Sequence, residues 1–284
     1  MNAWDDKSND LDAVDENRAA NHAQHCWRCD LSMSSDAVTC PHCGAGAAHE
    51  ELTNSESVRK VDDRRSIASR MKVLLVSYAM MLLLGVVHGW IGELRFSDAD
   101  FNDPQVVRSA LIQYVFVDAI FTTISVVALV LAGGLPKRPP PSRGSVAVAW
   151  AAALPLLTAL VGANFLYHRL VSDYIDSPFL AEDLFEELSV FSVATICVQP
   201  AIVEELFFRG LALPLLATVM RLPAAVFIVA IMFGLCHVAV ILSVPYLIVA
   251  GLVFGLAAAA TGKLWLPVLL HFAHNLVILL CSSL

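Results

Sequence analysis

From Val73 onward the chain alternates apolar runs with short polar loops. Each run is roughly 20 residues long, which is the length a helix needs to cross the hydrocarbon core of a bilayer. The pattern predicts spans at 73–92, 111–132, 146–167, 188–203, 205–220, 223–243, 246–261 and 264–281. The fourth and fifth are together too long for one straight crossing at ~1.5 Å per residue. Pro200 and Pro214 fall within them, and proline removes a helix hydrogen bond. A break or a tilted, re-entrant piece is therefore expected there, and the count is seven or eight. The fold class expected is an all-α polytopic membrane protein.

Before Val73 the pattern differs. Residues 1–25 are polar and mostly acidic, lack the apolar stretch of a secretory signal, and read as a disordered tail. Cys26-Trp-Arg-Cys29 and Cys40-Pro-His-Cys43 then form two CxxC knuckles ten residues apart. That spacing suits tetrahedral coordination of a structural zinc by four thiolates, as in a zinc ribbon over 26–43. A closed four-cysteine site leaves no open position for catalysis, so the ribbon reads as a structural module or a dock for a cytosolic protein partner. Residues 44–70 read as a polar linker with a basic end, and 71–284 as the membrane domain, with its motif core at 188–284.

Charge adds an orientation. Hydrophobic residues make up 57% and charged ones 15% of the chain, where soluble domains have roughly 45–50% and 25%. The net charge of −8 describes the tail and loops and gives no case for nucleic acid. Arg59, Lys60, Arg64, Arg65, Arg70 and Lys72 precede the first span, and Lys137, Arg138 and Arg143 follow the second. Glu93, Asp98, Asp100 and Asp103, and then the stretch from Asp173 to Glu187, alternate with them. Positive charge marks the cytoplasmic side, so the N-terminus and ribbon are expected in the cytosol. The alanine-rich composition suits a bacterial inner membrane.

One group of charges sits where the bilayer should exclude it. Glu204 and Glu205 lie in VQPAIVEELFFRGLALPLL, with Arg209 four residues after Glu205 and on the same helix face. Charged side chains at membrane depth are costly and are usually functional. Phe233-Gly-Leu-Cys-His237 puts a histidine in a later run, and His271-Phe-Ala-His-Asn275 puts a histidine and an asparagine on one face of the last. A carboxylate can take a proton from water, and an imidazole can hold that water or a metal. An amide and a second imidazole can donate to a developing oxyanion.

These strings resemble the EExxxR, FxxxH and HxxxN motifs of the CPBP family of intramembrane metalloproteases. That family contains type II CAAX prenyl endopeptidases and bacteriocin-processing and immunity proteins. The resemblance covers roughly residues 146–284 and implies an intramembrane endopeptidase acting on a membrane-associated protein or peptide. It implies that Glu204 is the general base, with His237 positioning the water or binding a metal. His271 and Asn275 would stabilise the tetrahedral intermediate, Glu205 would support the site, and Arg209 would neutralise and orient the carboxylates. A catalytic divalent metal on Glu204, His237 and His271 stays open beside a glutamate-activated water. The spacing lacks the compact HExxH arrangement of helical zinc proteases, which favours the water.

Two other readings compete. One is a non-proteolytic immunity or scaffold protein that binds a partner through the same fold. The other is an ion-coupled transporter, disfavoured for want of paired broken helices. Asp118, His88 and His168 read as interface residues, and His274 as facing away from His271 and Asn275. Cys197, Cys236 and Cys281 read as small core hydrophobes. The terminal Cys281-Ser-Ser-Leu284 has the outline of a prenylation box, but its middle residues are not aliphatic.

Overall fold

In the computed structural model the described residues are 24–26, 29–34, 37, 39–44, 54–99, 103–136, 141–172 and 190–282. The acidic tail lies almost wholly outside them, as do Lys137, Arg138 and the stretch from Asp173 to Glu187. The chain divides into two compact units, Met1–Ser55 and Glu56–Leu284.

In the first unit β1 (Gln24–His25) pairs antiparallel with β2 (Ser32–Met33). The two cysteine knuckles are built alike. Asp30 N donates to Cys26 O at 2.8 Å and Gly44 N to Cys40 O at 2.9 Å. Asp30 and Gly44, each directly after a second cysteine, both take left-handed φ, at 62° and 69°. A tight turn that lets backbone double back on a pair of thiolates requires this conformation, and glycine adopts it freely.

The second unit is helical. Helix α1 spans Asn54–Phe96, α2 Pro104–Leu131 and α3 Arg143–Ser172. Helix α4 runs over Val190–Leu216 and α5 over Leu222–Leu235. A 3-10 turn (Val238–Ser243) leads to α6 (Val244–Thr261), and α7 spans Trp265–Ser282. Five stretches of helix are long and apolar enough to cross a membrane, and α5 and α7 are shorter apolar helices. The outward faces of α1 to α3 expose Leu83, Trp90, Phe116, Val130 and Leu154, apolar surface that water would not tolerate in a monomer and lipid does. This is a polytopic helical membrane protein in contact with lipid.

Two expectations need revising. Helix starts at Asn54, well inside the stretch read as a linker, because 54–72 lacks proline and glycine and is rich in good helix formers. The expected break between 203 and 205 is absent: α4 is one 27-residue helix, about 40 Å long. It absorbs its prolines by widening into π-helical turns at Val193–Val198 and Glu205–Ala212. Such turns loosen the regular ladder and recur at functional sites. Seven apolar helices result among the described residues.

Helices α5 and α6 pack closest, because small residues line their seam. A Cβ on Gly251 would stand 3.1 Å from Ala230 Cα, and one on Gly234 would stand 2.5 Å from Ile248 Cγ1. Backbones that approach this closely hold membrane helices together where the hydrophobic effect cannot. Helices α3, α4 and α7 surround this pair, and α2 lies against α4.

Candidate active site

Glu204 and Glu205 lie midway along α4, at the start of its second wide turn. Their side chains part there. Glu205 points inward and is fully buried, as is Arg209 one turn on. Arg209 Nη1 donates to Glu205 Oε1 at 2.7 Å, and Nη2 donates to the carbonyl of Gly251 on α6 at 2.8 Å. Three rings surround the guanidinium, Phe233 being nearest at 4.6 Å from its centroid. Arg209 therefore orients one carboxylate of the two, and bolts α4 to α6.

The same oxygen of Glu205 faces His271 Nδ1 on α7 at 3.1 Å. A carboxylate paired with arginine can only accept, so His271 carries its proton on Nδ1 and leaves Nε2 for the site. The imidazole stacks on Phe254, with centroids 5.0 Å apart. This is the carboxylate–imidazole arrangement that fixes a ring and stabilises the imidazolium it forms.

Glu204 is placed differently. Its Oε1 lies 3.8 Å from His237 Nε2, and both side chains keep some exposure, 14% and 28%. His237 lies just past the end of α5, where the chain turns into the 3-10 segment. Its Nδ1 donates to the carbonyl of Phe233 at 2.9 Å, so in the neutral ring Nε2 is a lone pair. A carboxylate oxygen and a bare ring nitrogen thus face one another with no protein hydrogen between them. Glu204 Oε2 also lacks a partner among the described residues. A gap of this kind suits a water that donates to both.

Asn275 joins from α7. Its Nδ2 donates to the carbonyl of Ile196 on α4 at 2.9 Å, and its Oδ1 faces His274 Nδ1 at 3.0 Å. His274 is buried and meets the hydroxyl of Tyr246 on α6. Sequence reading set His274 aside and had no signal for Tyr246, whose polar role depends on helix packing. It also passed over Gln199, whose Nε2 donates to Thr122 on α2 at 2.6 Å. Asp118 is half-buried beside that amide.

The candidate metal ligands divide in two. Among the described residues, Cys26, Cys29, Cys40 and Cys43 are the group whose ligand atoms all lie within 4.8 Å of one another. Cys26 and Cys43 sulfurs are 3.5 Å apart, and those of Cys29 and Cys40 3.7 Å. Four thiolates on one tetrahedral ion with metal–sulfur bonds of about 2.3 Å would stand at about 3.8 Å, and disulfide sulfurs at about 2.05 Å. These four residues could hold a metal ion. Glu204, His237 and His271 do not gather in that way. They supply one facing pair, while His271 turns its Nδ1 to Glu205.

Comparison with known proteins covers the helical unit in part. Residues 186–277 match the family model described as type II CAAX prenyl endopeptidase Rce1-like. The chain carries an Rce1-like domain. All six candidate site residues fall inside the Rce1-like stretch, while α1 to α3 and the cysteine module lie before it. No curated protein and no solved structure matches the chain. The Rce1-like stretch is thus similar to a family of proteases, which supports a peptidase of the CAAX-protease type at the level of that family.

Proposed function

We propose that this chain is an intramembrane endopeptidase in which Glu204 activates the attacking water. The observation that carries the reading is the facing pair, Glu204 Oε1 and His237 Nε2 at 3.8 Å, too far apart for a direct hydrogen bond. Glu204 takes a proton from a water that His237 holds in place, and the hydroxide attacks a peptide carbonyl. The amide of Asn275 donates to the oxyanion, and His271, oriented by Glu205 through Nδ1, joins it from Nε2 when its ring is in the imidazolium form. The proton on Glu204 then passes to the leaving amine. Removing a general base lowers rates by about 10²–10⁴-fold. No step is routed through a catalytic metal, since the three candidate ligands do not converge.

The substrate is a membrane-associated protein or peptide, and the four cysteines hold a structural zinc. The N-terminus faces the cytosol of a bacterial cell. Support comes from Arg70, Arg143, Arg221 and Lys263, which lie at one end of the helices, while Glu93 and Asp98 lie at the other. The test compares N- and C-terminal fragments of the membrane proteome in wild-type and Glu204→Gln cells. Fragments that vanish in the variant, with the protein still inserted, identify substrates. Identical fragments together with an unchanged phenotype would favour the non-proteolytic immunity or scaffold role.

A further inference from the structure

Two residues of the bundle that none of the three motifs includes, Tyr246 and His274, form a polar chain with Asn275. The order of donors along it is fixed by its far end. The carbonyl of Ile196 can only accept, so Asn275 must present Nδ2 to it, at 2.9 Å. Pro200 stands four residues on from Ile196 and has no N–H to offer that carbonyl, and a neighbouring helix supplies the donor instead. With Nδ2 committed to α4, Oδ1 must face His274, and its partner there, Nδ1 at 3.0 Å, must carry the hydrogen.

A neutral imidazole with its proton on Nδ1 has a lone pair at Nε2, which accepts the hydroxyl of Tyr246. If the ring gains a second proton, Nε2 donates to the tyrosine oxygen. The tyrosine hydrogen then turns to the carbonyl of Leu160, at 3.2 Å. In both states Nδ1–H stays on Asn275. The ring is also held flat against Tyr246, with centroids 5.8 Å apart and planes at 25°.

We propose that His274, backed by Tyr246, is a positioning residue for Asn275. It locks the amide so that one Nδ2 hydrogen is anchored on α4 and the other stays available for the oxygen of the tetrahedral intermediate. Without the lock the carbonyl of Ile196 holds the amide alone, at one atom, so the amide can tilt and swing its second Nδ2 hydrogen away from that intermediate. The proposal rests on the hydrolase reading of the site, in which Asn275 is an oxyanion donor.

The test uses the full chain in liposomes, with an internally quenched prenylated CAAX peptide as the probe. His274→Phe keeps the ring against Tyr246 and deletes the donor. His274→Asn deletes the ring and places an amide N–H near the former Nδ1. The expected result is that His274→Phe lowers kcat about tenfold to a hundredfold at unchanged KM, while His274→Asn keeps most of it. The reverse ordering, or full activity in His274→Phe, would show a packing residue and overturn the proposal. Full kcat in Asn275→Ala would overturn it too, because nothing would remain to be positioned.

Two controls separate this from the wider reading. If Glu204→Gln retains cleavage, or the wild type does not cleave the probe, the assigned base or the probe is wrong. The lock is then decided by ¹⁵N shifts of histidine-labelled protein in bilayers, with His274→Asn identifying the signal. A neutral His274 protonated on Nδ1 supports the lock, and one protonated on Nε2 sinks it.

Discussion

Glu204 and Glu205 adjoin in the chain, and their surroundings could hardly differ more. Glu205 is sealed in, with its Oε1 shared by Arg209 and His271 from two helices. Glu204 keeps partial exposure and faces an imidazole nitrogen across a 3.8 Å gap. The sealed carboxylate is a fixed charge around which α4, α6 and α7 are organised. The open one is the base of the proposed reaction. Neighbouring side chains on a helix point about 100° apart, and here that angle carries one acid into the core and leaves the other part-exposed.

The largest effect should come from the open glutamate. Glu204→Gln keeps the shape and removes the basicity, so turnover should fall by about 10³-fold with little change in unfolding. Cleavage of the quenched peptide and the denaturant midpoint, measured on one preparation, check both halves. A variant that lost its fold along with its activity would put Glu204 in the sealed class and erase the contrast.

The sealed pair should respond in the opposite way. Arg209→Met leaves Glu205 buried without its partner, which costs about 3–5 kcal/mol in comparable buried pairs. The measurement is unfolding in mild detergent, and the expectation is a lower midpoint and less inserted protein. The double variant Arg209→Met, Glu205→Gln removes both charges and should recover part of that loss. If Arg209→Met unfolds like wild type, the guanidinium contributes to chemistry rather than architecture.

Much of this contrast was legible in the chain, and the illegible part has a physical cause. The apolar runs gave the helical membrane class, because bilayer thickness sets a length that composition reveals. The motif residues could be picked out because charges at membrane depth are rare. The division of labour between the glutamates could not, since i and i+1 on a helix differ by about 100° whatever lies around them. Which one turns inward depends on the π-helical turn at Glu205–Ala212, and no local signal encodes it. The prolines of α4 misled in the same way. They argued for a break, yet the helix widened, and Asn275 serves the carbonyl that Pro200 cannot. His274 was passed over because its partner, Tyr246, is 28 positions away and visible only once α6 and α7 meet.

A smaller effect should reach both glutamates through the seam between α5 and α6. Gly251 offers its carbonyl to Arg209, and a Cβ there would stand 3.1 Å from both Ala230 Cα and Phe233 Cδ1. Gly251→Ala should push α5 away from α6 at a cost of about 1–3 kcal/mol. That shift moves Phe233, and with it the carbonyl that orients His237. Peptide turnover should therefore fall by more than the loss of folded protein explains. A loss of turnover that merely tracks folded fraction would mean that the facing pair tolerates movement.

The smallest effect on turnover should come from the four cysteines, and its smallness is the informative result. Cys26, Cys29, Cys40 and Cys43 belong to a compact unit distinct from the helical one. Its metal would hold that unit together, as small metal-bound modules have little other core. Among the described residues that core is little more than Cys26, Met33 and Cys40. Cys40→Ser with Cys43→Ser should abolish metal binding in full-length protein, as metal analysis reports, and expose residues 24–44 to protease. Cleavage of the short quenched peptide should stay within about twofold, because Glu204, His237, His271 and Asn275 all belong to the helical unit. A natural substrate that needs the module as a dock should instead lose cleavage while the short peptide does not. A matching loss for both would mean that the metal of the cysteine unit acts on the chemistry of the open glutamate.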